Sequence, residues 1–282
     1  MRKGRMIWLV TGLLALSLIA GACGEEPTAR QPEATPPEAE ESPVLETLEP
    51  GVLTVGMDVP YPPFEFREGG EVVGLDVDLA MEIASRLGLE VEFVDTDFDT
   101  IFTQLAAGRF DVVVSATTIT PERAEEVNFT IPYYNAQQTL AVQQGSGITG
   151  VADLGGEHFV AVQRGTTGEI WAEENLVPQG VQLRAFVQTP DLYTALEAGQ
   201  VDGVINDEPN ALQEVPAREG LEIVETIDTG EAYGIAVNPA NEPLLDAVEL
   251  TLQEVIDDGT YEQIYAKYPD LPPGGSVVAA GS

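Results

Sequence analysis

Short runs of β-branched residues alternate with helical stripes along most of this chain, and the alternation starts afresh after Gln144. Val52–Gly56 reads as a strand. Asp76 then precedes Leu79, Ala80, Ile83, Ala84 and Leu87, an apolar stripe at helical spacing that stops at Gly88. Val91–Val94 is the next strand, Thr100–Ala107 a helix ended by Gly108, and Val112–Ser115 a further strand. After Gln144 come Phe159–Val162, a helix from Gly168, Leu183–Val187, a helix over Pro190–Ala198, and Val201–Asn206. Alternation of this kind predicts parallel sheets covered by helices, an α/β fold. The two stretches also echo each other. Leu105 to Val113 reads L-A-A-G-R-F-D-V-V, and Leu196 to Val204 reads L-E-A-G-Q-V-D-G-V. Any helix-to-strand turn uses glycine in this way, yet the matched order is consistent with two similar lobes.

Each lobe then offers the carboxyl end of a strand, where open α/β sheets bind ligands. The first offers Ser115–Thr118, inside the stretch S-A-T-T-I-T-P-E-R that ends at Arg123; the second offers Asn206, Asp207 and Glu208. The first stretch admits two readings. Hydroxyls, open amides and an arginine fork together suit a small carboxylate. Alternatively, Thr120 is an ordinary helix cap with Pro121 at the first helical position, and Arg123 lies on the surface. If the lobes face each other, Arg123 and Asp207 lie across one cleft with opposite charge, a pairing suited to a zwitterion.

The flanks and the charge bound the setting. Arg2, Lys3 and Arg5 precede an apolar run from Met6 to Ala20 that is too short for a stable membrane span. It leads into Ala20-Gly21-Ala22-Cys23, which holds the only cysteine of the chain. Residues 1–23 resemble a bacterial lipoprotein signal in which Cys23 is lipidated, with Ala20 departing from the usual branched residue. The alternative is an incidental cysteine near an ordinary cleavage site. With no second cysteine, the folded part is held by its core rather than by a disulfide. Residues 24–50 are rich in Glu, Pro, Ala and Thr, without periodicity, and read as a flexible tether; residues 271–282 read as a loose tail. The formal net charge of −36 argues against nucleic acid, whose phosphates it would repel, and against an anionic lipid surface. Solubility or salt adaptation accounts for it without a specific partner.

Five motifs, in order, carry a resemblance: Y-P-P-F-E-F (Tyr61–Phe66), G-L-D-V-D-L-A (Gly74–Ala80), F-D-V-V-V-S-A-T-T-I-T-P-E-R, Q-R-G-T-T-G (Gln163–Gly168) and N-D-E-P (Asn206–Pro209). From about Gly51 to Pro269 the chain resembles the family 3 extracellular solute-binding proteins, the amino-acid receptors of ABC importers. The resemblance implies a periplasmic-binding-protein-like α/β fold: two lobes, two hinge strands and a ligand cleft between them. The first lobe would take residues 51–140 and 232–270, the second 141–231, with Leu140–Gln143 and Ala232–Val237 as the crossing strands. It also implies capture by lobe closure without chemistry, delivery to an ABC permease, an extracytoplasmic location at the cell membrane, a monomer, and no cofactor or metal.

Carried over by motif, Tyr61 would stack on the ligand side chain, with Phe98 as a second wall. The Ala116 carbonyl, the Thr118 hydroxyl and Asp207 would take the α-ammonium. Arg123 and the amides of Thr118 and Thr167 would hold the α-carboxylate. Asp58, Gln163 and Asn206 would read the side chain. Asp58 and the aromatic wall suit a polar neutral or basic amino acid such as glutamine, histidine, arginine or lysine. Glutamate and aspartate lack a clear basic partner, although the direction of Arg164 stays open. Two rivals share the fold: a cyclohexadienyl dehydratase, for which the adjacent Asp207 and Glu208 offer carboxylates, and the receptor part of a sensory system. His158, the only histidine, reads as a loop residue, and G-T-T-G lacks the lysine of a phosphate loop.

Overall fold

A computed structural model describes residues 45–278, so Cys23 and most of the expected tether lie outside the described residues. The first strand, β1 (Val52–Met57), is buried along nearly its whole length, as a central parallel strand must be. A hairpin of β2 (Phe66–Glu68) and β3 (Glu71–Val73) leads into α1 (Leu75–Leu87), whose buried Leu75, Leu79, Ala80, Ile83 and Ala84 form the expected stripe. Gly74 opens this helix at φ 143°, and a Cβ there would stand 1.9 Å from the Phe64 carbonyl oxygen. Only glycine fits that approach. Asp76 precedes that stripe from the first turn of the helix, fully buried, and points back into the protein.

β4 (Glu90–Asp95), α2 (Ile101–Ala106), β5 (Val112–Val113) and β6 (Asn128–Phe129) follow. Arg123 does not start a long helix; it lies in a three-residue 3₁₀ turn, Arg123–Glu125. The chain then builds a second sheet from β7 (Tyr134–Gln143), β8 (Phe159–Gln163), β9 (Gln182–Phe186), β10 (Gly203–Asp207) and β11 (Leu221–Tyr233). Between them lie α3 (Thr167–Asn175), α4 (Thr189–Glu197) and α5 (Glu208–Glu214). β12 (Ala236–Val237), α6 (Glu242–Asp257) and α7 (Thr260–Tyr265) return to the first sheet.

The sheet orders are β4-β1-β5-β12-β6 and β11-β7-β10-β8-β9. Both are mixed rather than purely parallel. β12 runs antiparallel to β5 and β6, and β7 antiparallel to β10 and β11, because these strands belong to the connections that cross between sheets. The outward crossing falls between Phe129 and Tyr134, earlier than Leu140–Gln143, whose apolar run instead forms the interior of β7. The return falls between Tyr233 and Ala236, inside the expected Ala232–Val237. Helices cover both faces of each sheet. In the first lobe α1, α6 and α7 bury one face and Ile101 and Leu105 of α2 the other. In the second, Leu192, Leu196 and Ala211 lie on one side and Ala172 and Leu176 on the other.

The internal echo extends to hydrogen bonding. Gly108 and Gly199 both adopt left-handed conformations, φ 70° and 65°. Asp111 then accepts the Thr54 amide at 2.9 Å, and Asp202 accepts the Phe159 amide at 2.7 Å. Each aspartate thereby braces a neighbouring strand. The flanks are more ordered than composition suggests. Asp111 also accepts the Leu48 amide at 2.8 Å, and Asn241 donates to the Glu46 carbonyl at 2.8 Å. At the other end, Leu271 is buried, and the Asn135 amide donates to the Gly275 carbonyl at 2.7 Å. Residues 46–50 and 271–278 are thus held by tertiary hydrogen bonds and packing that a composition argument does not see.

Candidate ligand-binding cleft

The carboxyl ends of β1, β5, β8 and β10 converge on a cleft between the lobes. Nine of the ten expected site residues line it: Asp58, Tyr61, Phe98, Ala116, Thr118, Arg123, Gln163, Thr167 and Asp207, together with Glu65, Ser115 and Thr166. Asn206 does not. Its amide nitrogen donates to Tyr193 Oη at 3.2 Å and Asn210 Oδ1 at 2.7 Å, while its oxygen accepts the Tyr61 hydroxyl at 3.3 Å. Asn206 therefore holds Tyr61 in place. Consecutive strand residues point to opposite faces, so Asp207 in the cleft turns Asn206 away from it.

The stretch Ser115–Arg123 forms one wall. Ala116 has φ 46°, rare for a residue with a Cβ, and its amide is pinned to Asp76 Oδ2 at 2.7 Å. Tyr133 donates to the same oxygen at 2.9 Å. At this wall the Glu65 and Asp76 carboxyls are buried beside each other, and burial raises both pKa values above the usual carboxylate range. Glu65 Oε2 and Asp76 Oδ1 have no hydrogen-bond partner among the described residues, which one proton shared between the two carboxyls would supply. Glu65 Oε1 accepts the Ser115 hydroxyl at 2.6 Å, and the Ser115 oxygen accepts the Asp58 amide at 3.0 Å. No local pattern pairs Glu65 with Asp76, although both lie within motifs.

Arg123 is buried, and its guanidinium donates to the Thr118 carbonyl at 2.7 Å and, across the cleft, to the Gly165 carbonyl at 3.1 Å. It lies 4.8 Å from the Phe102 ring centre and 5.3 Å from that of Phe98, so Phe98 supports the arginine as well as lining the cleft. Burial pulls its pKa down to about 10, opposed by Glu231 and Asp207. The surface reading of Arg123 is thereby excluded. Opposite, Asp207 accepts Gln138 Nε2 at 2.5 Å and the Tyr233 hydroxyl. Burial, with the nearby Glu231 charge, pushes its pKa up to about 7. Thr167 opens α3, where first-turn amides lack intrahelical acceptors.

At the far end Asp58 is 3% exposed and accepts Gln163 Nε2 at 2.5 Å and Gln188 Nε2 at 3.1 Å. Gln188 escaped the sequence reading. Burial pushes the Asp58 carboxyl up to about 7 against those two hydrogen bonds. Arg164 points elsewhere, pairing with Asp99 at 3.2 Å while half its side chain stays exposed. Glu208 also lies elsewhere, in a groove behind the hinge with Asn135, Gln137 and Gly275. The Asp207–Glu208 pair is thus divided between two surfaces and does not act on one substrate. His158 Nδ1 accepts the Gly155 amide at 2.9 Å in a loop.

The lobes are closed on each other by Gln163 and Gln188 to Asp58, Arg123 to Gly165, Tyr61 to Asn206, and Asn210 to the Pro62 carbonyl at 2.7 Å. The cavity left between the lobes is about 20 Å³, room for about one water. Admitting a larger molecule therefore requires the lobes to part. Gly165 sets how closely they meet: at φ 79°, a Cβ there would lie 2.9 Å from Asp99 Cα. Gly165→Ala is expected to weaken any ligand that needs closure by at least ~10-fold, from backbone strain and this clash together. Unchanged affinity in a calorimetric titration would show that closure is not this tight.

The buried carboxyls carry a pH signature. An unfolded aspartate titrates near ~3.9, whereas burial raises Asp58 and Asp207 to about 7 in the folded protein and raises the Glu65–Asp76 pair as well. Between those values the folded state keeps protons that the unfolded chain has released. The stability from these groups is complete below about pH 4 and is lost as pH rises through about 7. The urea midpoint of the protein alone is expected to be lower at pH 8 than at pH 5, and Asp58→Asn to flatten the drop. Equal midpoints at both pH values would contradict the burial of these groups.

Comparison with known proteins agrees with this architecture. The profile of the bacterial extracellular solute-binding proteins, family 3, matches residues 53–270. The histidine-binding periplasmic protein of Salmonella typhimurium is 31% identical over 232 residues, which cover 79% of this chain and 89% of the relative. An ancestral arginine-binding protein bound to arginine superimposes with a TM-score of 0.74 at 40% identity, covering 77% of this chain and 98% of its own. The substrate binding protein of an amino acid ABC transporter does so with a TM-score of 0.73 at 32% identity, covering 77% and 99%.

Proposed function

This chain belongs to the bacterial extracellular solute-binding proteins, family 3, and from that premise we propose that it captures a cationic L-amino acid of the arginine or lysine class for an ABC importer. The observation that carries the reading is the charge layout of the cleft. Arg123 stands at one end beside Thr118 and Thr167, Asp207 lies opposite, and Asp58 is buried at the far end with only glutamine donors. Arg123 and the Thr118 and Thr167 amides take the α-carboxylate. Asp207, the Thr118 hydroxyl and the Ala116 carbonyl take the α-ammonium. Asp58 takes the side-chain cation between Gln163 and Gln188, and Tyr61 packs along the aliphatic stem. Asp58, Asp207, Glu231 and the Glu65–Asp76 pair surround a single arginine, so a ligand with net positive charge is favoured over a neutral one. Glutamate would bring a second carboxylate against Asp58.

The ligand stabilises the closed form by bridging the lobes, and the closed form is what a permease recognises. This is binding without chemistry. A thermal-shift panel of the twenty amino acids at pH 8 tests the class: arginine and lysine are expected to give the largest upward shifts. A panel with no shift, together with turnover of prephenate, would overturn the importer reading in favour of the dehydratase. At the N-terminus, Cys23 is proposed as a lipidated anchor outside the cytoplasm, supported by the small residues before it and by its being the only cysteine. Metabolic labelling with a radiolabelled fatty acid is expected to mark the wild-type protein and not Cys23→Ala; an unlabelled wild-type protein would exclude lipidation there.

A further inference from the structure

Glu231 lies on β11, close to where the chain returns to the first sheet. One of its carboxylate oxygens, Oε2, accepts the Thr118 hydroxyl at 2.8 Å and the Thr167 hydroxyl at 2.7 Å. Thr118 follows the first lobe's β5 and Thr167 opens the second lobe's α3, so a single oxygen ties the lobes together at the hinge side of the cleft. The other oxygen, Oε1, accepts the Thr229 hydroxyl at 2.9 Å and Gln138 Nε2 at 3.2 Å. That same Gln138 nitrogen donates to Asp207. Glu231 itself stands behind the cleft wall: the two threonines line the cleft, whereas Glu231 lines the groove on the hinge's other side.

A hydroxyl carries one proton. With both protons spent on Glu231, Thr118 and Thr167 present only lone pairs to the cleft. Asp207, already accepting from Gln138 and Tyr233, is an acceptor as well. A ligand group placed among them must bring donors, and an ammonium brings three N–H bonds. A ligand with a bare methylene there leaves buried acceptors unpaired, which sites of this kind reject strongly. We propose that Glu231 is a specificity-determining positioning residue: by taking the protons of Thr118 and Thr167 it makes their two hydroxyls, together with Asp207, an all-acceptor subsite that demands an α-ammonium, beside the donors of Arg123 and the threonine amides that face the α-carboxylate. The proposal rests on the amino-acid reading above and explains how the hinge strand takes part in recognition without touching the ligand.

Calorimetric titration with L-arginine and with 5-guanidinopentanoate, the same molecule without its α-ammonium, tests it. The wild-type protein is expected to prefer arginine by at least ~100-fold. Glu231→Gln turns an amide N–H toward the threonine oxygens and sends a hydroxyl proton back to the cleft. It should shrink the preference at least ~10-fold, mainly through weaker arginine binding, and Glu231→Asp should restore part of it. Thr118→Val, which keeps the side chain's shape, should shrink the preference similarly and be non-additive with Glu231→Gln in the double variant. A merely structural role for Glu231 would weaken both ligands equally. An unchanged preference in Glu231→Gln, or fully additive penalties in the double variant, overturns the assignment. A wild-type protein that binds no arginine overturns the amino-acid reading itself, a failure visible before any variant is made.

Discussion

Arg123→Ala is expected to lower affinity for L-arginine by at least ~30-fold, the scale of truncating one partner of a buried charge-assisted contact, about 2 kcal/mol or more. The ion pairs among the described residues leave Arg123 out. Its guanidinium reaches only carbonyl oxygens and the faces of two phenylalanines. Burial without a carboxylate partner explains why its pKa is pulled down to about 10. A ligand carboxylate completes the pair in a site from which water is excluded. The alanine variant loses that contact and also the tie to Gly165 that joins the lobes. Circular dichroism separates loss of binding from loss of fold. Unchanged affinity would show that the α-carboxylate lies elsewhere.

Asp58→Asn should separate cationic from neutral ligands. The substitution keeps the shape of the side chain but removes its charge, so a guanidinium or ammonium loses a charge-assisted partner worth about 1.5–3 kcal/mol. Arginine affinity is expected to fall at least ~10-fold, whereas glutamine, which needs only a hydrogen-bond acceptor, should change little. The ratio of the two dissociation constants is the informative quantity, because a general loss of closure would move both together. The wild-type protein should also bind arginine more tightly as pH rises toward 7, since the ionised forms of Asp58 and Asp207 are those the ligand requires.

Much of the lobe architecture was legible because it is written locally. The α1 stripe, the glycine stops at Gly88, Gly108 and Gly199, and the buried strand runs all depend on residues near one another in sequence. What failed was non-local. β7 begins at Tyr134, six residues before its apolar run, because Gln138 and Thr139 are buried through hydrogen bonds to Asp207 and the Asn206 carbonyl. A hydrophobic pattern has no means of registering buried polar residues whose partners lie in a distant strand. The burial of Asp76 in the first turn of α1 is non-local in the same way: its partners, Ala116 and Tyr133, lie far along the chain.

The site was legible to the extent that motifs bring its residues to strand ends. Arg123, Thr118, Asp207 and Asp58 line one cleft. Asn206 was misplaced although strand alternation alone separates it from Asp207. Glu231 and Gln188 carried no signal. Each acts through residues on other elements, and only the folded chain brings Glu231 to Thr118 and Thr167, or Gln188 to Asp58.

The central claim concerns the polarity of the bound ligand, and a crystal structure of the protein grown with L-arginine tests it most directly. The account predicts one arginine between closed lobes, its α-carboxylate on Arg123, its ammonium against Asp207 and Thr118, and its guanidinium at Asp58 between Gln163 and Gln188. An arginine bound in the reverse direction, or density only outside this cleft, would contradict it.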